Sequence, residues 1–367
     1  MRLLIWVQNI LGTGHLRRAL RLAGACADAG AEVTVASGGP RIPWPDPAGV
    51  SLVQLPAIVA ADKRGSVLVD TAGNPVTDAL WAARRAVLLD ALAGIRPDIV
   101  VTEMYPFGRN AFHVEVQGLL AAARDRCRPA VVASVRDVLV TKLDASKVER
   151  NLRRFEATYD QVLVHGDPEL IPFSTSFPPA SRLGDRLLYT GYLTGSPAAA
   201  ARATRFGARL LETAITAHAL SAARALPLRV VTGLAMADDD VDRLSRRAGP
   251  AVRIDRHHDD LMTLLPDAAV SVSQAGYNTV AEALATATPM VLVPFADAGE
   301  DEEAIRARRL AERGMAEVVE PQALSPEVLA GAIDRALARR APQPPAMDGA
   351  ARSAQLLATI VQARHAA

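Results

Sequence analysis

Four short runs hold the side chains of this sequence that could do chemistry, and each follows an apolar stretch. The first is Leu11-Gly12-Thr13-Gly14-His15, soon after Leu3–Val7. Glycines there let a ligand approach the backbone, and a helix opening at that point offers N–H groups to an anion. A dinucleotide fingerprint needs a third glycine at position 17, where Arg17 stands, so the glycines alone carry little. His15 carries more. On the first turn of a helix it could take a proton from a bound hydroxyl, with a capping or structural histidine as the plain alternative.

The second run is Ser273-Gln274-Ala275-Gly276-Tyr277-Asn278-Thr279-Val280-Ala281-Glu282, after Ala268–Ser273. Small residues at a positive helix end suit a diphosphate. Glu282, two helical turns on, could accept both hydroxyls of a ribose; the alternative is a solvated glutamate behind a plain turn. The third run is Pro294-Phe295-Ala296-Asp297-Ala298-Gly299-Glu300-Asp301-Glu302-Glu303. Its carboxylates complement a helix dipole and equally suit sugar hydroxyls. The fourth joins Glu103-Met104-Tyr105-Pro106-Phe107-Gly108-Arg109 to Arg136-Asp137. There Phe107, Arg109, Arg136 and Asp137 could hold a polar, anionic acceptor, and Glu103 is a second candidate base. An internal network of arginines and acids is the alternative.

Strands must end at these runs and helices must begin there. Leu3–Val7 is apolar throughout, as a strand covered on both faces of a parallel sheet is. His15–Ala29 has helical spacing and is closed by Gly30. Strands follow at Glu32–Ala36, Ser51–Leu55, Ile99–Thr102, Ala130–Val135 and Gln161–Val164, with helices at Val76–Gly94, Gln117–Arg126 and Lys142–Tyr159. Phe173–Pro197, rich in Pro, Ser and Gly, breaks this alternation and puts a linker near Gly191–Pro197. A second alternation then runs through strands Leu228–Thr232, Ala251–Ile254, Ala268–Ser273, Met290–Val293 and Glu317–Val319. Its helices are Ala208–Arg224, one from Thr279, Glu302–Arg313, Pro326–Arg339 and Gly349–His365. The pattern predicts an α/β protein of two Rossmann-like domains facing a central cleft, with the chemistry at the carboxyl ends of parallel strands. The expected domains are 1–190, 191–345, and a terminal helix, 346–367, packing back on the first.

The bulk numbers fit. The 367 residues are 50% hydrophobic and 22% charged, an ordinary globular balance. Net charge is +1, with 4% aromatics, so neither a basic field nor a stacking platform for nucleic acid is expected. Cys26 and Cys127 stand in unrelated contexts, which argues against a disulfide framework or a metal site. No stretch approaches ~20 uninterrupted apolar residues, and the amino-terminal apolar run is too short for a signal peptide. A cytoplasmic protein is the expectation.

The runs Gly12–Ala19 and Gln274–Glu282 resemble those of GT-B glycosyltransferases. The likeness is to the bacterial predicted-glycosyltransferase group, related to the N-acetylglucosaminyltransferase that completes lipid II. The stretches Glu103–Arg109, Ser134–Val138 and Glu303–Glu312 are similar too. The resemblance implies an NDP-sugar donor, usually a UDP-sugar, held mainly by the second domain. It implies no metal and no cofactor beyond that co-substrate, because helix-end N–H groups balance the leaving diphosphate. It puts Ala275, Gly276, Tyr277 and Asn278 at the phosphates, with Ser273, Gln274 and Thr279 in the same donor set, Glu282 at the ribose, and Asp301, Glu302 and Glu303 at the donor sugar. His258 would lie by the base. Thr232 and Gly233, with Gly12, Thr13 and Gly14, complete the donor set, and His15 matches the histidine of the first glycine loop. Relatives open the second domain on a strand ending in glycines. Ala198–Arg209 has only Gly207, so Arg202, Arg205 or Arg209 would replace backbone contacts with charge.

The leading expectation is metal-independent glycosyl transfer to an unknown acceptor, with inversion. Peripheral membrane contact is compatible with it. A nucleotide-sugar hydrolase on the same fold would put water in place of the acceptor. A sugar epimerase would need acid/base groups whose motifs are missing here. A binding protein with a degenerate donor site is the remaining alternative.

Overall fold

The computed structural model describes all residues except 11, 43–46, 63, 64, 66, 141–143, 195–204, 234, 235, 257–260, 296–300, 340–342 and 367. The chain divides into two compact units. The first comprises Met1–Leu139, Leu143–Leu193 and Asp348–Ala367, and the second Val140–Lys142 and Thr194–Met347.

The elements begin β1 (Arg2–Val7), α1 (Gly14–Asp28), β2 (Glu32–Ser37), β3 (Val50–Gln54), β4 (Val59–Ala60), β5 (Leu68–Val69) and α2 (Asp78–Ile95). They continue with β6 (Ile99–Glu103), α3 (His113–Arg126), β7 (Ala130–Arg136), α4 (Ala145–Thr158), β8 (Gln161–His165) and β9 (Leu187–Tyr189). In the second unit come α5 (Arg205–Leu220), β10 (Leu228–Val231), α6 (Asp238–Arg247), β11 (Val252–Asp255), β12 (Ser271–Ser273) and α7 (Tyr277–Ala285). After them lie β13 (Met290–Leu292), α8 (Glu302–Glu312), β14 (Ala316–Val318) and α9 (Pro326–Ala338), before α10 (Gly349–Ala366) returns to the first unit.

The first unit is built on a seven-stranded sheet, order β3-β2-β1-β6-β7-β8-β9, parallel throughout. β1 is buried along Leu3–Val7 because both of its faces are covered. Leu3, Ile5 and Val7 pack with Leu16, Leu20 and Ala23 of α1 and Leu357 and Val361 of α10. Leu4 and Trp6 point to the opposite face, among Leu88, Leu92 and Phe112. α10 starts at a glycine for a steric reason. Any side chain at Gly349 would collide with the carbonyls of Gly191 and Tyr192. The strand order reverses between β1 and β6, so the switch point, where such sheets bind ligands, lies at the carboxyl ends of those two strands.

The second unit has two parallel sheets, β10-β11 and β12-β13-β14. Leu210 and Ala214 of α5 and Leu329 and Ile333 of α9 pack on Val291 of β13. Several elements differ from the sequence reading, among them the short antiparallel pair β4 and β5 of the first unit. α6 lies outside that reading, because Val241 and Leu244 are the only apolar residues of DDDVDRLSRR; Leu244 is buried, Val241 packs half-buried on the same cluster, and three acids in the first turn complement the dipole. β9 lies inside the stretch read as irregular, after short 3-10 turns at Phe173–Thr175 and Pro178–Arg186. The strand expected over Ala268–Ser273 shrinks to Ser271–Ser273, because Leu265–Asp267 turns and Ala268 N–H closes that turn onto Leu265 O. Of the arginine-rich opening, residues 195–204 and the side chain of Arg205 lie outside the described residues.

Candidate active site

β1 delivers the chain to the glycine turn, where Gly12 takes a left-handed φ of 70° without strain. α1 opens at Gly14 with no side-chain cap from Thr13. His15, on its first turn, has a side chain only 13% exposed, and its Nδ1 lies 3.1 Å from Oε1 of Glu103. Glu103 is the last residue of β6, on the strand beside β1, so the switch point itself brings the pair together. Arg18, one turn along α1, donates from Nη2 to the same carboxylate oxygen. Ser134 of β7 donates from Oγ to Glu103 Oε2 at 2.7 Å. Beyond it, His165 Nε2 at the end of β8 lies 2.9 Å from Ser134 Oγ, and His165 Nδ1 lies 2.9 Å from Thr190 Oγ1.

The charges in this cluster are set by burial and by neighbours. Burial alone would raise the Glu103 carboxyl. The Arg18 charge and the hydrogen bonds from His15 and Arg18 outweigh it and hold the group well below the usual carboxylate range. His15 is shifted well down, first by burial and then by the Arg109 and Arg18 charges, with Glu103 pulling the other way. His15 is therefore neutral near pH 7. Nδ1 faces two groups: the Glu103 carboxylate, which only accepts and calls for a proton on Nδ1, and Arg18 Nη2 at 3.0 Å, which only donates and competes for that nitrogen; the tautomer protonated towards Glu103 leaves Nε2 with a lone pair. His165 is fully buried and pushed down to about 3 by that burial and by Arg18, with Glu103 opposing.

Three expectations for this unit need correction. Glu103 is 1% exposed with both oxygens engaged, so it holds His15 and is not itself a base for a ligand. Phe107 is buried in an aromatic cluster, 5.6, 5.9 and 5.1 Å from the rings of Phe155, Phe173 and Phe177, so it offers no face to an acceptor. Asp137 is fully buried and accepts from Val138 N–H and from the Tyr192 hydroxyl, so it braces the core. Arg109, at a left-handed φ of 55°, donates from Nε to Gln8 O at the end of β1. Arg136 closes β7, half-buried, on the same edge of the sheet.

In the second unit β12 ends at Ser273. Gln274 Nε2 is buried with no hydrogen-bond partner among the described residues. Ala275 holds a left-handed φ of 73°, which costs a non-glycine residue about 1 kcal/mol. Arg306 of α8 offsets that strain. Fully buried, it donates from Nη1 to Ala275 O at 2.8 Å, with its guanidinium 5.8 Å from the Tyr277 ring. α7 opens at Tyr277 behind Gly276, which has no side chain to cap it, and Asn278 and Thr279 are half-buried on the first turn. Glu282, 2% exposed, lies on the same helix. Glu303 on the first turn of α8 accepts from Phe295 N–H at 2.8 Å. A Cβ on Gly276 would stand 3.8 Å from its other oxygen, so the second and third runs are neighbours. Asp301 and Glu302 open α8, and Thr232 and Gly233 follow β10 with Gly233 at φ 83°. His258 and residues 296–300 lie outside the described residues. Arg209 donates to Leu324 O, which ties it to the core of the unit.

Residues 206–360 match the family of the glycosyltransferase family 28 C-terminal domain. That matched stretch takes in most of the second unit and runs on into α10. Residues 273–282, Asp301, Glu303 and Arg306 all fall inside it. Among curated relatives, the chain is 34% identical over 106 residues to an uncharacterized glycosyltransferase of Methanopyrus kandleri. It is 33% identical over 110 residues to the UDP-N-acetylglucosamine–N-acetylmuramyl-(pentapeptide) pyrophosphoryl-undecaprenol N-acetylglucosamine transferase of Rippkaea orientalis. These matches span 29% and 30% of this chain and 30% of each relative. Across the whole chain the fold is that of GT-B glycosyltransferases. The calicheamicin glycosyltransferase aligns over 100% of this chain and 98% of its own at TM-score 0.60 and 16% identity. The glycosyltransferase VinC, solved with dTDP, aligns over 99% and 96% at 0.59 and 18%. Acinetobacter baumannii MurG aligns over 100% of both chains at 0.57 and 13%.

Across the two units, four residues lie outside the candidate site residues named from the sequence: Arg18, Ser134, His165 and Arg306. Arg18 had a signal, since its i+3 spacing puts it beside His15. Ser134 and His165 had only their place on consecutive strands. Arg306 had none, being one of several arginines on α8. Among the described residues, no helix is long and apolar enough to cross a membrane, and no cluster of three acidic, histidine or cysteine groups could hold a metal ion.

Proposed function

We propose that the protein transfers a sugar from a nucleoside diphosphate donor to an acceptor hydroxyl, with inversion and without a metal ion. The observation that carries this reading is the neutral His15 locked by Glu103 at the switch point, on a fold shared with glycosyltransferases. His15 Nε2 takes the acceptor proton as the acceptor oxygen attacks C1. The C1–O bond to the diphosphate breaks, and its electron pair leaves with the diphosphate. The positive start of α7, braced by Arg306, receives that charge. The unpartnered amide of Gln274 offers a further donor to phosphate oxygens. Glu282 accepts the ribose hydroxyls, Asp301, Glu302 and Glu303 the donor-sugar hydroxyls, and Arg109 and Arg136 hold the acceptor. Uridine is the first nucleotide to try, because the similar relative from Rippkaea orientalis is named for a UDP-sugar.

The test is release of nucleoside diphosphate from a panel of NDP-sugars, with and without alcohol acceptors, in excess EDTA. Acceptor-stimulated release that falls about 10²–10⁴-fold in His15→Gln supports the reading. Release that ignores acceptors identifies a hydrolase. No release with any donor contradicts both.

A further inference from the structure

We infer that Ser134, held in orientation by His165 and Thr190, is a positioning residue that sets how strongly Glu103 grips His15. This rests on the reading of His15 as the base. The hydrogen-bond chain crosses four neighbouring strands, from Glu103 on β6 through Ser134 and His165 to Thr190 behind β9, and it has two possible polarities. In one, Thr190 O–H donates to His165 Nδ1, His165 Nε2–H donates to Ser134 Oγ, and Ser134 O–H donates to Glu103 Oε2. In the other, Thr190 O–H turns to Gly191 O at 2.8 Å, His165 donates from Nδ1, and Ser134 donates to His165 Nε2. That second arrangement strips a donor from a buried anion. Glu103 therefore selects the first, and a neutral His165 donating to Ser134 polarises the hydroxyl towards the carboxylate.

The consequence reaches His15 through Glu103. Each donor on a carboxylate spends part of its basicity. With Ser134 on Oε2 and Arg18 on Oε1, Glu103 is a moderate acceptor for His15 Nδ1–H. The groups acting on the His15 charge are Glu103, Arg18 and Arg109, from β6, α1 and the turn after β6. Ser134 itself does not touch the imidazole, so its effect passes wholly through the carboxylate.

The experiment is a titration of His15 in the intact protein by imidazole NMR, with His15→Gln assigning its signal among the seven histidines. Ser134→Ala removes the donor and makes Glu103 more basic, which stabilises the imidazolium. The His15 midpoint should rise by about half a unit to one unit. Ser134→Cys, nearly isosteric and a weaker donor, should fall between, and His165→Leu should shift the midpoint upward by less than Ser134→Ala. If Ser134→Ala does not fold, the Cys and Leu variants carry the same test. A midpoint unmoved in the folded variants overturns the inference, whatever the enzyme does. Sugar transfer surviving in His15→Gln would instead remove the base reading, and a shifted midpoint would still stand.

Discussion

Acid should weaken the first unit through His165 by an amount that follows from its burial. Its side chain is 0% exposed and its pKa is about 3 in the fold, against 6.5 for an ordinary histidine. The unfolded chain takes up a proton below 6.5 that the folded chain refuses until about 3. Stability is therefore complete above that upper value and falls as pH drops through the window. At about 1.36 kcal/mol per unit, acidification to about pH 5 costs about 2 kcal/mol from this residue alone. Glu103 does not confuse the measurement, because its depressed carboxyl loses stability only as pH falls below its ordinary 4.5. His15 adds to the loss in the same direction. His165→Leu is the perturbation of choice, since Ser134 still has Glu103 and Thr190 still has Gly191 O as acceptors. Urea unfolding followed by tryptophan fluorescence suits the assay. Trp6, Trp44 and Trp81 all fall within residues 1–139, so the signal reports one unit. Between about pH 7.5 and pH 5 the variant should lose about 2 kcal/mol less than the wild type. Equal losses in the two proteins would refute the reasoning.

Glu103→Gln should destabilise the same unit by about 3 kcal/mol, because it leaves the Arg18 guanidinium buried without its carboxylate; the urea midpoint reads this. Phe107→Leu should cost about 1–2 kcal/mol in the same assay and leave acceptor KM unchanged, since Phe107 belongs to the aromatic core. Arg306→Met should weaken nucleotide affinity roughly tenfold or more by releasing the Ala275 turn, while Arg308→Met, on the exposed side of α8, should not; a binding titration separates them.

The first unit was legible in sequence because its strands are covered on both faces. Leu3–Val7, Ile99–Thr102 and Ala130–Val135 read as apolar runs for the same reason that they are buried. What periodicity could not show is which strands are neighbours. Glu103 looked like a rival to His15 until the β1·β6 pairing put the two in contact and buried the carboxylate. Phe107 looked like a ligand platform because spacing says nothing about the three phenylalanines that enclose it from distant segments. α6 is not legible because a helix held by Val241 and Leu244 alone leaves too short an apolar pattern. The turn before α7 was readable because its pattern is local: a strand, small residues with a glycine, and then a helix.

The central claim is a nucleoside diphosphate held at the start of α7 and Glu282, and calorimetric titration tests it most directly. UDP, dTDP, GDP and ADP would each be titrated in EDTA into the wild-type protein and into Glu282→Ala. The account predicts saturable binding of at least one nucleotide by the wild type, with affinity reduced tenfold or more in the variant, about 1.4 kcal/mol or above. Binding of none of the four, or equal binding by both proteins, would contradict it.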